Sequence, residues 1–589
     1  MAEASKSEQE EDVLQVAQNC LRSCDPESQR KGRSMLEEAA SDGDTDALFL
    51  LGEMFFKGLG VEVDKEKAFD LFSTAADDGS PRYKTVVANC YAQGEGVEKN
   101  LRKAFVLYRY AAERGYYVAQ YNLGNVYYRG EGTGVNLEQA FKWYEKAAEH
   151  NYPAAIFNKG VCYANGEGVG RDDAAAVSCF YAAAEQGYPD AQHNLAVHYY
   201  HGRGVQQDKK AAFWWFHKAS EAEYAPSIYM TGLCLADGEG VEQNVEASVS
   251  CFYEAGALGH AGAQARLGEC YLKGEGVEKN DSHAFFWLKL AGEQELPSAL
   301  YHLATCYMEG IGTEVDEVAG MEALTKASEK GCLLAHVKLG DLLFPKQKEN
   351  GMARAAELYK KAFEQDDIEG AYKFATCLYG GYGVERDAKR ACTILQDRCS
   401  EDADGLCLLG VCSVTGDGMD KDIAVAAKYF HSAAVLGSPA ACVLYGCCLL
   451  EGVDVEHFDP RSNSPRRWFR RAAREGQKDG QNFLGYCHMK MGDTPEHQCS
   501  GYKWFHRAAE SGSIEGAFNT GLCLLRGIGV DMNMRAGLRW MGVCAKVGDK
   551  QAYTLLHEVG KVGTTAVSDG NFNFRVSSLQ DLCRKGVIV

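Results

Sequence analysis

Stacked pairs of short α-helices, an all-α solenoid of about 14 helix-pair repeats, are what this sequence predicts, and three regularities predict it. A Gly-x-Gly loop begins at Gly58, Gly94, Gly130, Gly166, Gly202, Gly238, Gly274 and Gly310, eight times at a spacing of 36 residues. Ahead of each loop, one fixed place holds only a small residue: Gly52, Ala88, Gly124, Gly160, Ala196, Gly232, Gly268 and Ala304. Behind the loops an Ala-Ala pair returns at 39, 75, 111, 147, 183, 433, 472 and 508. A period of this length is the mark of a repeat array, in which each unit buries its apolar face only against its neighbours.

The elements follow in order. Residues 1–45 read as an acidic segment and capping helices, a short one over 10–23 and an unpaired second-type helix over 29–43. Residues 46–331 hold eight regular repeats. In the third, the first helix (A) reads Ala119 to Arg129, with Ala119, Leu123 and Tyr127 on one face at i, i+4, i+8. Glycine inside a helix costs about 1 kcal/mol, so Gly124 predicts close approach of a neighbouring helix. The second helix (B) runs over 137–150 with Ala140, Trp143, Tyr144, Ala147 and Ala148. A glycine four residues after the Ala pair (Gly43, Gly79, Gly115, Gly187, Gly259) suits a left-handed terminator. Residues 332–548 hold six more divergent repeats, interrupted by an insertion at 453–465. Residues 549–589 form a capping helix over 551–559 and a tail whose only marked feature is Phe572-Asn573-Phe574-Arg575-Val576.

Composition narrows the function classes. A net charge of −20 argues against a general nucleic-acid or anionic-membrane surface, which needs clustered Lys and Arg, and favours basic partners. No stretch is apolar for long enough to span a bilayer, the longest run being 440–450, and the polar N-terminus lacks the pattern of a secretory signal. A cytoplasmic location without membrane insertion is the expectation. The 23 cysteines fall into the repeat: Cys90, Cys162, Cys234, Cys270 and Cys306 are multiples of 36 apart, as small buried thiols of one helix contact would be. Six of the seven tryptophans (Trp143, Trp215, Trp287, Trp468, Trp504, Trp540) share one helix B phase and read as core.

Catalytic readings do not survive. The Gly-x-Gly loops lack the third glycine of a dinucleotide fingerprint, with Val63, Lys99, Val135, Arg171 and Gln207 in its place. Neither HExxH nor GxSxG occurs. His193 and His198 with His201 lie at near-helical spacing, but His198 takes the phase held by cysteine elsewhere and reads as packed. No cofactor, metal or catalytic residue is expected.

Written out, the pattern A-x-x-x-L-G-x-x-Y-x-x-G-x-G-V, then Asp or Asn, then A-x-x-W/Y-Y/F-x-x-A-A-x-x-G resembles the Sel-one-like repeat, a relative of the tetratricopeptide repeat, over nearly the whole chain. The resemblance implies antiparallel helix pairs in a right-handed superhelix and a role as adaptor in multiprotein assembly. Receptors of this family in ubiquitin-linked degradation carry a signal peptide and membrane helix, and neither is seen here; its cysteine-rich bacterial branch relies on disulfides. A hydrolase of the kind claimed for that branch, and an adaptor in ubiquitin-linked degradation, are the alternatives to a general scaffold.

Recognition is expected on helix A, at the positions five and two residues before the loop-proximal aromatic. They read Asn122/Asn125, Asn158/Val161, Asn194/Val197, Met230/Leu233, Arg266/Glu269 and His302/Thr305. Being i, i+3 they share a face. Asparagine offers both a donor and an acceptor, as clamping an extended peptide requires; it also suits a structural role within the repeat. The second candidate is basic: Arg466, Arg467 and Arg470 directly after the insertion, able to meet a carboxylate or a phosphoserine. Partners are therefore expected to be extended peptides or domains of other proteins.

Overall fold

The computed structural model describes residues 14, 16, 17, 19, 26–344, 349–453, 464–491, 494–562 and 573–584. Every regular element among them is helical. The chain divides into two compact units, Met1–Val315 and Asp316–Val589.

The first unit opens with the helix Pro26–Ser41, the expected unpaired helix; the shorter helix expected over 10–23 falls largely outside the described residues. A and B helices then alternate, from A Thr45–Lys57 and B Lys65–Ala75 to A Pro297–Glu309. The third pair, A Tyr117–Arg129 and B Leu137–Glu149, shows how the sequence builds one unit. Helix A stops because Gly130 takes φ 74°, donating its N–H to the Val126 carbonyl over 2.9 Å. Helix B starts because the Asn136 side chain accepts the Gln139 N–H at 3.0 Å. Asp64, Asn100, Asp172, Asp208, Asn244 and Asn280 do the same for their helices.

The small residue inside helix A is explained by its partner. A Cβ on Gly124 would stand 2.6 Å from the Tyr144 ring, and one on Gly160 2.8 Å from the ring of Phe180. Large B-helix rings thus lie directly on the A backbone, with Leu123, Ala119, Ala140 and Ala147 fully buried around them. The second loop glycine has a different task. At Gly132 a Cβ would meet the carbonyl oxygen of Leu101, in the preceding B helix, at 2.2 Å. One glycine ends the helix, and the next lets the loop touch the neighbouring repeat. At the B-helix ends Asn151, Glu223 and Glu295 adopt the left-handed conformation that glycine takes elsewhere.

The second unit opens with the B helix Glu317–Glu329 and continues through A Leu333–Leu343, B Glu349–Glu364, A Ile368–Gly380, B Ala388–Arg398, A Ala403–Thr415, B Ile423–Leu436, A Pro439–Leu450, B Pro465–Arg474, A Lys478–Lys490, B Pro495–Glu510, A Ile514–Arg526 and B Met534–Lys546. The expected capping helix is Lys550–Val562. Residues 573–578 are non-helical and lead into a last helix, Leu579–Arg584. Of the insertion expected at 453–465, residues 454–463 lie outside the described residues. The periodic cysteines are packed in the helix contacts: burial pushes Cys162 and Cys377 up to about 12, and Cys90 and Cys306 up to about 11. The tryptophans divide, Trp215 and Trp468 being buried, while Trp143, Trp287, Trp504 and Trp540 are half-buried against the preceding repeat.

The two kinds of glycine can be separated by experiment. Gly115 and Gly132 both have positive φ, but a Cβ on Gly115 meets nothing within 4 Å. Gly115→Ala should cost about 1 kcal/mol, the left-handed penalty alone, and Gly132→Ala about 2–4 kcal/mol because the backbone must also move apart. Urea unfolding of the two variants measures the difference; equal costs would mean that the inter-repeat approach carries no strain.

Candidate protein-binding face of the A helices

The asparagines of the first unit connect successive repeats. Asn122 Nδ2 donates to Asn89 Oδ1 of the preceding A helix at 3.4 Å, and Tyr108 Oη donates to the same oxygen at 2.6 Å. The arrangement repeats one unit on: Asn125 Oδ1 accepts from Asn158 Nδ2 at 3.2 Å and from Tyr144 Oη at 2.8 Å. It returns in the second unit with ionised groups, where Asp341 accepts from Tyr359 at 2.8 Å and from Lys373 at 2.7 Å. A B-helix tyrosine and the next repeat's amide or amine therefore meet on one acceptor. Asn194 instead donates to the carbonyl of Asp190 in its own helix, at 2.8 Å. Asn122, Asn158 and Asn194 are each half-buried and spend one amide hydrogen in these bonds, leaving an acceptor oxygen and a second hydrogen.

Arg266 lies at the same register and closes an ionic version. Its Nη1 is 2.6 Å from Glu269, whose other oxygen is 3.4 Å from His302 of the next A helix. Burial by itself would raise Glu269, but His302 and Arg266 hold it below the usual carboxylate range. His193 and His198 are packed side chains. His193 Nδ1 is 2.9 Å from the buried Ser227 hydroxyl, and His198 Nδ1 is 2.9 Å from the Arg203 carbonyl. Among the described residues no group of His, Cys, Asp and Glu has the geometry to hold a metal ion.

The basic candidates sit on the helix Pro465–Arg474. Arg467 and Arg470 are exposed, while Arg466 is half-buried with Nη2 3.4 Å from His488 Nε2. Burial, then Arg466, His497 and Arg470, push His488 down to about 4, so it stays neutral beside the arginines. The three arginines thus share a helix but not one environment.

The feature that sequence reasoning missed lies in the second unit, where residues 573–584 cross the A helices of successive repeats. Asn519 stands at the register of Asn122 and is wholly buried. Its side chain brackets the backbone of Arg575: Oδ1 accepts the Arg575 N–H at 2.7 Å, and Nδ2 donates to the Arg575 carbonyl at 2.8 Å. Asn482, one A helix earlier, donates to that carbonyl at 3.1 Å. The Arg575 guanidinium lies 3.6 Å from the Phe518 ring centroid and 2.5 Å from Asp549, and also bonds Gln551. Phe574 packs against Phe505, Ser577 donates to Glu515 at 3.1 Å, and the Leu579 N–H bonds Glu451 at 2.9 Å. Leu579, Leu582 and Cys583 then join one buried cluster with Leu408, Leu444, Cys447 and Phe483.

Two signals could have exposed these arrangements. In five successive repeats the B-helix ring and the A-helix residue 19 positions before it match in polarity: Tyr108 with Asn89 and Tyr144 with Asn125, but Phe180 with Val161, Phe216 with Val197 and Phe252 with Leu233. Polar partners and apolar partners were exchanged together, as a buried hydroxyl demands. In addition, A helix Ala403–Thr415 is buried at every residue from Gly405 to Val414. A helix apolar on all sides must be covered on all sides.

Fold and face together define a helical-repeat scaffold, built of units that each contact their neighbours and present one half-buried face. The Sel1 repeat family model matches fourteen successive segments of the chain, from residues 45–80 to 514–542, and the chain belongs to that family. Among solved structures, a protective antigen of uropathogenic Escherichia coli displaying an SLR fold is 25% identical, with a TM-score of 0.61 over 76% of this chain and 96% of that one. A Sel1 repeat protein from Oxalobacter formigenes is 30% identical over 52% of this chain and 89% of that one, with a TM-score of 0.41. A search of curated proteins found no match.

The packed histidine gives the first unit a pH dependence. Burial pushes His193 from 6.5 down to about 4, against a smaller opposing effect of Asp190. The unfolded chain therefore takes up the proton first as pH falls. This part of the stability is complete above pH 6.5 and is lost between 6.5 and 4. Unfolding at pH 7.5 and pH 5 should differ by about 2 kcal/mol more in the native chain than in His193→Gln. An unchanged slope in the variant would place the titration elsewhere.

Proposed function

We propose that the chain is a non-catalytic adaptor that holds extended segments of other proteins against the A helices of its first unit. One observation carries the reading: in this same protein, the asparagine at the A-helix register of Asn122, Asn158 and Asn194 grips an extended backbone through both its N–H and its C=O. The first unit supplies the same residue three times at 36-residue intervals, half-buried rather than covered. The other residues on this face vary, Val161, Val197 and Met230 being apolar and Arg266 and His302 ionisable. A shared amide ladder would hold the backbone and these neighbours would select side chains. An acidic chain with few basic clusters suits a basic or neutral segment.

Membership of the Sel1 repeat family supports a scaffold, and burial disfavours periodic cysteines such as Cys162 and Cys377 as nucleophiles, because the thiolate is the reactive form.

The test replaces Asn122, Asn158 and Asn194 together by alanine. Each lost bond to a bound backbone should cost about 0.5–1.5 kcal/mol, so partner affinity should fall roughly 10- to 1,000-fold. A pull-down of native partners, quantified against the wild type, reads the effect, and a thermal melt establishes that the variant is folded. Undiminished recovery by a folded triple variant would remove the ladder from recognition.

A further inference from the structure

We infer that the A-helix face of the second unit is a peptide-recognition site whose resident ligand is the chain's own segment 573–584, and that a partner segment of the same chemistry takes its place. The adaptor reading supplies the premise that this face accepts extended chains; the residues tested here belong to other repeats, so the two can fail separately.

The first argument is the manner of holding. A terminal segment packed only as a cap would be held by its side chains. Residue 575 is held by its backbone, through the Asn519 bracket and Asn482. Main-chain bonds of this kind, with side chains seated in alternate surroundings, are how extended peptides are recognised in trans.

The second argument is what lies beneath. At the Asn122 register the first unit presents half-buried residues, from Asn122 to His302. In the last four repeats of the second unit the same register is Leu408, Leu444, Phe483 and Asn519, all buried. Three apolar residues and one amide form a graded surface: an amide for backbone, then a greasy floor for Leu579 and Leu582. The surface without an occupant would expose this apolar row, so it is built to be covered.

The third argument is charge. Asp549, Glu515 and Glu451 receive the guanidinium of Arg575, the hydroxyl of Ser577 and the N–H of Leu579 in turn. Burial would raise Asp549, yet the Ala552 N–H and the Arg575 guanidinium hold it below the usual carboxylate range. The ligand class follows: an extended segment with an aromatic residue followed directly by arginine, then, after a short polar stretch, one helical turn bearing two leucine-like residues three apart.

The ten residues 563–572 tether the resident segment to the capping helix, which places it at an effective concentration on the order of millimolar. A free copy at micromolar concentration is therefore outcompeted about 1,000-fold until the tether's hold is weakened. The experiment uses the full chain and a fluorescent synthetic peptide of residues 573–584. In the variant Arg575→Glu with Leu582→Glu, the resident segment loses its pairing with Asp549 and half its apolar anchor. That chain should bind the peptide at least tenfold more tightly than wild type, and adding Asn519→Ala should abolish the gain. A peptide carrying glutamate in place of its arginine should not bind. Binding no tighter than wild type by the opened, folded chain would overturn the proposal.

If the opened variant does not fold, hydrogen exchange on the wild-type chain decides. A displaceable ligand predicts that the amides of Arg575 and Leu579 exchange at least 100-fold faster than those of helix Ile514–Arg526, through local opening. Equal rates would make the segment a permanent part of the core and contradict the proposal.

Discussion

The contact between a B-helix ring and an A-helix backbone is what the rest of this structure depends on. With Gly124 in place, Tyr144 lies where any Cβ would be, at 2.6 Å. The A and B helices are 11 to 13 residues long in the regular repeats, too short to persist alone, and gain their stability from this intimate stacking. Because the ring takes up one side of helix A, the opposite side is left to the neighbouring repeat and, in the second unit, to residues 573–584. The two-glycine loop adds the second condition, since Gly132 lets each loop touch the B helix before it. Pairing within a repeat and pairing between repeats thus rest on two loop glycines and one glycine or alanine in helix A per 36 residues.

From that geometry follows the double use of one register position. Where the preceding acceptor is polar, as at Asn89, Asn125 and Asp341, the residue at the Asn122 register reaches back and ties two repeats together. At Asn519 the corresponding acceptor position has passed to Tyr486, and the amide reaches back to Asn482 of the preceding A helix at 2.8 Å while also holding the Arg575 backbone. One side chain at this register can thus tie two repeats and hold a backbone at once.

The fold was legible because its determinants are local and periodic: caps at Asn136 and its equivalents, terminators at Gly130 and its equivalents, small residues opposite rings. The candidate site was legible only in part. The spacing of Asn122, Asn158 and Asn194 picks out one register of the A helices, but the bonds of Asn122 and Asn158 to the preceding repeat depend on which side chains oppose across 33 residues, and a single pattern line does not carry that pairing. The matched exchange of tyrosine and phenylalanine with asparagine and valine did carry it and went unread. Residues 573–584 have no period at all. The bond from Leu579 to Glu451 joins positions 128 apart, so only the largely apolar A helices at 403–415 and 439–450 announced that something must cover them.

The central claim is that an asparagine at this register holds an extended backbone, and one thermodynamic cycle tests it most directly. Arg575→Ala keeps the backbone N–H that Asn519 accepts, and Arg575→Pro removes it. The stability difference between these two variants, measured by urea unfolding, is compared with Asn519 present and with Asn519→Ala. The account predicts that proline costs about 1 kcal/mol more when Asn519 is present, the worth of the hydrogen bond it breaks. An identical cost in both backgrounds would contradict it.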